Sequence, residues 1–246
     1  MLRLLDACVE ESRKTIDTKD ERLMGDITLS LAETIFDPRG ALPNPKRSLT
    51  PRQLFYRQLF FDFRELFEAY QTLLDFPALS RSKPTKKSGL SPARLVRFWR
   101  EAYLNELYIF LARLKAYIKR VARAYGHDHR VPHLREIAKE MEEVIDDIFS
   151  ELVEVRSGHV HKYRYEHSDP ELNRIQLFEL LAVEGKMKTM QKLYREGVRQ
   201  AEHQSIVDFR IFNRKAKDVL EAVFDSFDRF MVDKSKRLIY PANLKS

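Results

Sequence analysis

Six of the seven histidines, His127, His129, His133, His159, His161 and His167, fall between residues 127 and 167, leaving only His203 outside. Within that interval the stretch 154–167, Glu-Val-Arg-Ser-Gly-His-Val-His-Lys-Tyr-Arg-Tyr-Glu-His, is dense in groups that bind anions or move protons. An arginine offers a permanent, forked cation that matches phosphate, and a histidine exchanges a proton near neutral pH. Arg156 and His161 together therefore suit phosphodiester chemistry. On an unbroken helix their five-residue step separates them by about 140° around the axis, so a break near Gly158 or assembly across a dimer would help them converge. His159 and His161 also form a His-x-His pair, which with His167 or a nearby carboxylate is a possible zinc or other divalent-metal set. The plainer alternative for the whole cluster is a solvated loop or packed histidines. Lys162 and Arg164 either steer phosphate or are simply solvated, and Tyr163 and Tyr165 either stack on bases or pack. His127, His129 and His133 read as turn and helix-start residues.

Other enzyme signatures are missing. There is no Gly-rich phosphate loop ending in Lys-Ser/Thr, no Gly-x-Ser-x-Gly elbow and no His-Glu-x-x-His pair. The adjacent acids Glu142-Glu143 and Asp146-Asp147 point about 100° apart on a helix and read as a solvated face rather than a two-metal site.

The elements that must position the cluster are helices. Seven glycines and ten prolines in 246 residues argue against a turn-rich β sandwich, and 43% hydrophobic with 33% charged residues is a globular composition. The prolines mark joints, because proline is tolerated in a first helical turn and costly within a helix. Thr50-Pro51, Ser91-Pro92, Asp169-Pro170 and Val131-Pro132 each precede an apolar pattern. Loops are expected at 37–49 and 77–90. Between them an aromatic-rich helix is expected over 51–76. From Pro92 to Tyr125, Val96, Trp99, Tyr103, Leu107, Phe110, Leu114, Tyr117 and Val121 recur at three- and four-residue steps, the period of one helix face. Leu134, Ile137, Met141, Val144, Ile148, Leu152 and Val155 repeat the spacing over 132–155, so the second helix folds back on the first as a long central antiparallel hairpin. Leu172, Ile175, Phe178, Leu181, Met187, Met190 and Leu193 supply a third stripe, and Val219, Val223, Phe227 and Phe230 a fourth. The expected fold is an all-α bundle of about five to seven helices.

Charge sharpens the picture. The net charge of +7 permits attraction to nucleic acid or an anionic surface, although 37 acidic residues dilute it. Residues 113–135 hold seven basic residues and one acid, Asp128, while 136–154 hold eight acids and one base, Lys139. Mutual neutralisation along the hairpin is the favoured reading over an RNA-binding stripe. Arg94, Arg97 and Arg100, with Lys83, Lys86 and Lys87 nearby, have no such acidic run beside them and are the better anion-binding candidates. The lone Cys8, the absence of 18 or more consecutive apolar residues and the lack of a signal-peptide pattern point to a reducing, cytoplasmic setting with no membrane span.

Here the residues carry a family resemblance. Arg156 followed after four residues by His161 looks like the Arg-x4-6-His motif of HEPN domains, the higher eukaryote and prokaryote nucleotide-binding superfamily. The match includes Val155-Arg156-Ser157-Gly158-His159-Val160-His161 between two amphipathic helices, and the downstream Ser168-Asp169-Pro170-Glu171-Leu172 resembles uncharacterised bacterial members. Ser157 stands where the commoner family pattern has Asn, Asp or His. The resemblance implies a HEPN-like core over 92–232, with 1–91 a helical addition packed on it and 233–246 a C-terminal tail. It implies a metal-independent endoribonuclease without cofactor, of a bacterial defence or toxin type. Arg156 would hold the scissile phosphate, and His161 would act as general acid or base while a ribose 2′-hydroxyl attacks. Ser157 and His159 would be supporting or alternative groups, and Arg94, Arg97, Arg100, Lys162 and Arg164 RNA contacts. A homodimer, RNA or a nucleotide, and an antitoxin are the implied partners. Since other members are inactive, a non-catalytic nucleotide-binding or protein-interaction module is the alternative.

Overall fold

Proline opens three of the helices. In the computed structural model, which describes residues 51–81, 90–126, 128–150, 170–184, 188–235 and 239–241, Pro51, Pro92 and Pro170 are the first residues of α1 (Pro51–Leu79), α2 (Pro92–Tyr125) and α4 (Pro170–Glu184). Ser91 caps α2 by accepting a hydrogen bond from the Arg94 amide at 3.3 Å. The fourth expected start is displaced: α3 spans Leu134–Ile148 rather than beginning at Pro132. His133 takes the left-handed conformation, φ 69°, which cannot continue a right-handed helix back to Pro132. Its carbonyl accepts the first α3 bond, from the Ile137 amide at 3.0 Å, and its ring Nδ1 lies 2.6 Å from Glu136 Oε2. The last element, α5, is a single 44-residue helix, Lys188–Met231, joining what the sequence presented as the end of a third stripe and a separate fourth. The described residues are thus all-α, five helices with no strand.

The chain divides into two compact units whose borders fall inside helices. One comprises Met1–Arg64, Lys119–Ile137 and Glu221–Ser246, the other Glu65–Ile118 and Ala138–Leu220. Each therefore draws on sequence from both sides of residue 91.

In the first unit, Tyr125 is fully buried, with its ring centroid 5.9 Å from those of both Phe55 and Phe230. Phe63 meets Phe224 edge to face at 5.3 Å. Val121, Leu134, Val223, Phe227 and Met231 complete this core. The acid that stands alone in the basic run, Asp128, is buried and accepts hydrogen bonds from the Arg130 amide at 3.0 Å and from Arg130 Nε at 2.8 Å. This carboxylate is foremost among the causes that raise the Arg130 pKa. Residues from the expected tail join the same unit. The Tyr125 hydroxyl donates to the Ile239 carbonyl at 2.6 Å, the Ile239 amide to the Met231 carbonyl at 2.7 Å, and Arg130 to the Tyr240 carbonyl.

In the second unit, the expected α2 face is buried at Val96, Tyr103, Leu107, Phe110, Leu114 and Tyr117. Each such burial contributes about 1.5–3 kcal/mol. Phe76 of α1 lies 6.1, 5.3 and 6.0 Å from Trp99, Tyr103 and Phe209, and Tyr103 stacks on Phe209 at 4.2 Å. Lys115 of α2 pairs with Asp146 of α3, which brings α3 back alongside α2 as expected for an antiparallel hairpin. Within this unit the buried positions of α3 are Ala138 and Ile145, with Phe149 buried just past its end, whereas Val144 is exposed. The sequence stripe had placed Val144 inside. It lies one residue, about 100°, off the buried line and ends on the flank. α4 packs through Ile175 against Ala93, Val96, Val198 and Ala201. Leu181, expected inside, is exposed, as are Leu177 and Leu180.

α1 also continues through Pro77, where the sequence had ended it at Phe76. Having no N–H, Pro77 leaves the Leu73 carbonyl without its helical donor. Asn213 Nδ2 replaces it, donating to that carbonyl at 2.9 Å.

Candidate functional site

Arg156, Ser157, His159, His161, Lys162 and Arg164 lie outside the described residues, in the sequence between α3 and α4. His127 and His167 lie outside them as well. The remaining candidates, Arg94, Arg97 and Arg100, begin α2 and do not form one anion-binding face. Successive three-residue steps rotate the side chain by about 60°, so Arg100 points about 120° away from Arg94. Arg94 is exposed, Arg97 half-buried and Arg100 buried. Arg100 Nε donates to Ser205 Oγ at 2.7 Å and Nη2 to the Ala201 carbonyl at 3.3 Å, while the Ser205 hydroxyl donates to the same carbonyl at 2.6 Å. A guanidinium held this way presents nothing to a phosphate backbone. Its assignment as an RNA contact is therefore withdrawn: Arg100 ties α2 to α5.

The hairpin charges behave differently from the expected mutual neutralisation. Lys115 does pair with Asp146. Arg113, however, donates to the Glu65 carbonyl at 2.8 Å and Arg120 pairs with Asp62 at 2.7 Å. Both of these basic side chains turn to α1 rather than to the acidic run of α3.

Two tyrosines have perturbed acidity in the second unit. Burial pushes the Tyr103 phenol far above its ordinary value. Its hydroxyl donates to Asn213 Oδ1 at 2.9 Å and also lies 3.3 Å from the Phe209 carbonyl. The chain of contacts from Tyr103 through Asn213 to the Leu73 carbonyl joins α2, α5 and α1. Tyr194 is also raised, first by burial and then by the Glu179 carboxylate. Both phenols are therefore protonated at neutral pH.

α5 carries a basic period beside its apolar one, which the apolar stripes alone do not reveal. Lys188, Lys192, Arg195, Arg199, His203, Arg210, Arg214 and Lys217 are all exposed and follow steps of three or four residues, apart from one seven-residue step over Ile206. At 100° per residue they share a sector about 100° wide that runs about 43 Å along the helix. Glu196 is the carboxylate that falls in the same sector, 3.9 Å from Lys192. All eight residues belong to the second unit. The signal was present in the sequence, in basic residues read at the helical period.

Among the described residues no group of three or more His, Cys, Asp or Glu side chains is placed to hold a metal ion. Also among them, no helix is long and apolar enough to cross a membrane. Comparison with protein-family models, curated proteins and solved structures finds no match to this chain.

Proposed function

We propose that the protein is a HEPN-like RNA-binding protein that acts as a metal-independent endoribonuclease of a bacterial defence or toxin type. The observation that carries this reading is Arg156 and His161, with four residues between them, in the sequence joining two helices of an all-α chain. Arg156 holds the scissile phosphate and offsets the charge that builds on its oxygens. His161 moves the proton as the ribose 2′-hydroxyl attacks phosphorus and the bond to the 5′-oxygen of the next nucleotide breaks. RNA supplies its own nucleophile, so the step needs no metal or cofactor. Two copies of the chain, each contributing one Arg156/His161 pair, form the working cleft, and an antitoxin is the partner that would restrain it.

The experiment is RNA cleavage by the wild type, Arg156→Ala and His161→Ala in the presence of chelator. His161→Ala is expected to slow cleavage by about 10²–10⁴-fold, the usual worth of positioned proton transfer. Arg156→Ala weakens both binding and turnover, and the double variant loses less than the sum of the two single losses in free energy, since the two groups act on one transition state. His159→Ala retains more activity than His161→Ala. If it instead loses bound zinc and activity together, the His-x-His pair is a metal site and the assignment falls.

A second reading is favoured by one feature of α4. Leu177, Leu180 and Leu181 are 54%, 61% and 40% exposed, a stripe at helical spacing on the side away from Ile175. Such an uncovered apolar face suits a non-catalytic protein-interaction module. Absence of cleavage in the wild type, with a stable complex lost in Leu177→Asp/Leu180→Asp, would select it.

A further inference from the structure

We infer that the exposed basic stripe of α5, Lys188 to Lys217, is a binding track for the sugar–phosphate backbone of a nucleic-acid strand lying lengthwise along the helix. That the strand is RNA rests on the function proposed above; that it is a phosphate chain rests on the stripe itself. Three observations favour it. The basic groups are in line, with most steps rising about 4.5–6 Å along the axis, so successive side chains meet successive charges of a linear polyanion. Arg195, Arg199, Arg210 and Arg214 supply forked donors that match phosphate oxygens better than ammonium groups do. Their charge sits on a rigid element. A neighbouring face of α5 is anchored by Val198, Ala201, Phe209 and Ala216, all buried, so little ordering entropy is lost when the ligand lands.

The same anchoring argues against an anionic membrane surface as the occupant. A helix that lies in a bilayer interface inserts an apolar face beside its basic one. The apolar face of α5 is already buried in the second unit.

The test uses the full chain and a labelled 20-nucleotide RNA carrying 2′-O-methyl riboses, which cannot be cleaved by 2′-hydroxyl attack. Binding is followed by anisotropy across a salt series. Arg195→Gln/Arg199→Gln/Arg210→Gln/Arg214→Gln is compared with Lys139→Gln/Arg174→Gln/Arg229→Gln/Lys234→Gln, which removes the same charge from exposed positions off the stripe. Circular dichroism checks that both variants keep wild-type helix content. The stripe variant is expected to bind on the order of 10²-fold more weakly near 0.1 M salt, with its log–log salt slope reduced by about 3, as loss of four phosphate contacts to a single strand requires. The off-stripe variant stays within several-fold of wild type. Equal losses in both variants would make net charge the cause and overturn the track. So would wild-type binding to phosphatidylserine vesicles without binding to RNA. DNA of the same sequence is expected to bind with similar affinity, and a marked preference for DNA would overturn the RNA assignment. The two proposals fail separately: a wild type that cleaves nothing but loses RNA binding in the stripe variant sinks the nuclease and leaves the track. Cleavage of unmodified RNA that the stripe variant performs with unchanged KM sinks the track and leaves the nuclease.

Discussion

The two faces of α5 treat polar side chains in opposite ways. On the inner face Ser205 and Asn213 are buried, and each meets specific partners: Ser205 receives Arg100, and Asn213 receives Tyr103 while donating to the Leu73 carbonyl. On the outer face Arg195, Arg199, Arg210 and Arg214 stand in solvent. Arginine thus appears in both settings within one unit, and what separates the roles is burial rather than angle alone, since buried Asn213 and exposed Arg195 lie 18 residues, or about five full turns, apart on α5. Burial makes each inner polar group expensive to leave unpaired, whereas exposure lets the outer ones be exchanged for a ligand.

The largest expected effect on stability comes from Asn213→Leu. It strands the Leu73 carbonyl and leaves the Tyr103 hydroxyl only its longer contact with the Phe209 carbonyl, and chemical denaturation should show a loss of about 2–4 kcal/mol. Adding Pro77→Ala restores an N–H at the position that normally serves the Leu73 carbonyl, so the double variant should recover part of that loss. Failure to recover any of it would mean that Asn213 does not stand in for the missing proline donor. RNA affinity should stay within about twofold, because the variant alters no basic group on the outer face.

Arg100→Met comes next, at about 2 kcal/mol, the scale of hydrogen bonds made by a charged donor. It keeps much of the volume of the stem while removing the donors to Ser205 and Ala201. RNA binding is again expected to be unchanged, the opposite of the stripe variant, which keeps its stability. A large loss of RNA affinity without destabilisation would reverse the distinction between the two faces.

Tyr103→Phe should cost about 1 kcal/mol near neutral pH by leaving Asn213 Oδ1 without its donor. Its sharper signature is alkaline. The phenol's folded pKa is raised above the unfolded value of 10.0, so above pH 10 the unfolded chain releases a proton that the folded chain retains. Rising pH therefore drains stability from the wild type in that window. Tyr103→Phe should flatten the decline, leaving the smaller part due to Tyr194. An unchanged slope would place the Tyr103 hydroxyl in contact with solvent.

Much of this architecture was legible because helix periodicity and proline placement are local signals. The α2 face from Val96 to Leu114 and the starts at Pro51, Pro92 and Pro170 coincide with the structure. What escaped was long-range compensation. Pro77 reads as a stop until Asn213, 136 residues later in the sequence, supplies the absent donor. His133 reads as an ordinary helix-start residue until its left-handed backbone moves the beginning of α3 to Leu134. Arg100 reads as a free cation because sequence spacing alone does not reveal that Ser205 and the Ala201 carbonyl face it from α5. The basic stripe of α5 needed no tertiary information, only the helical period applied to charge as well as to apolar residues.

Under the proposed function, Arg156 and His161 carry out transesterification of RNA. The most direct measurement is the mass of the fragments released from a defined RNA by the wild-type protein in chelator. The expected products are a 2′,3′-cyclic phosphate on one fragment and a 5′-hydroxyl on the other, both absent with His161→Ala. Unchanged cleavage by Arg156→Ala/His161→Ala, or activity that chelator abolishes and zinc alone restores, would contradict it.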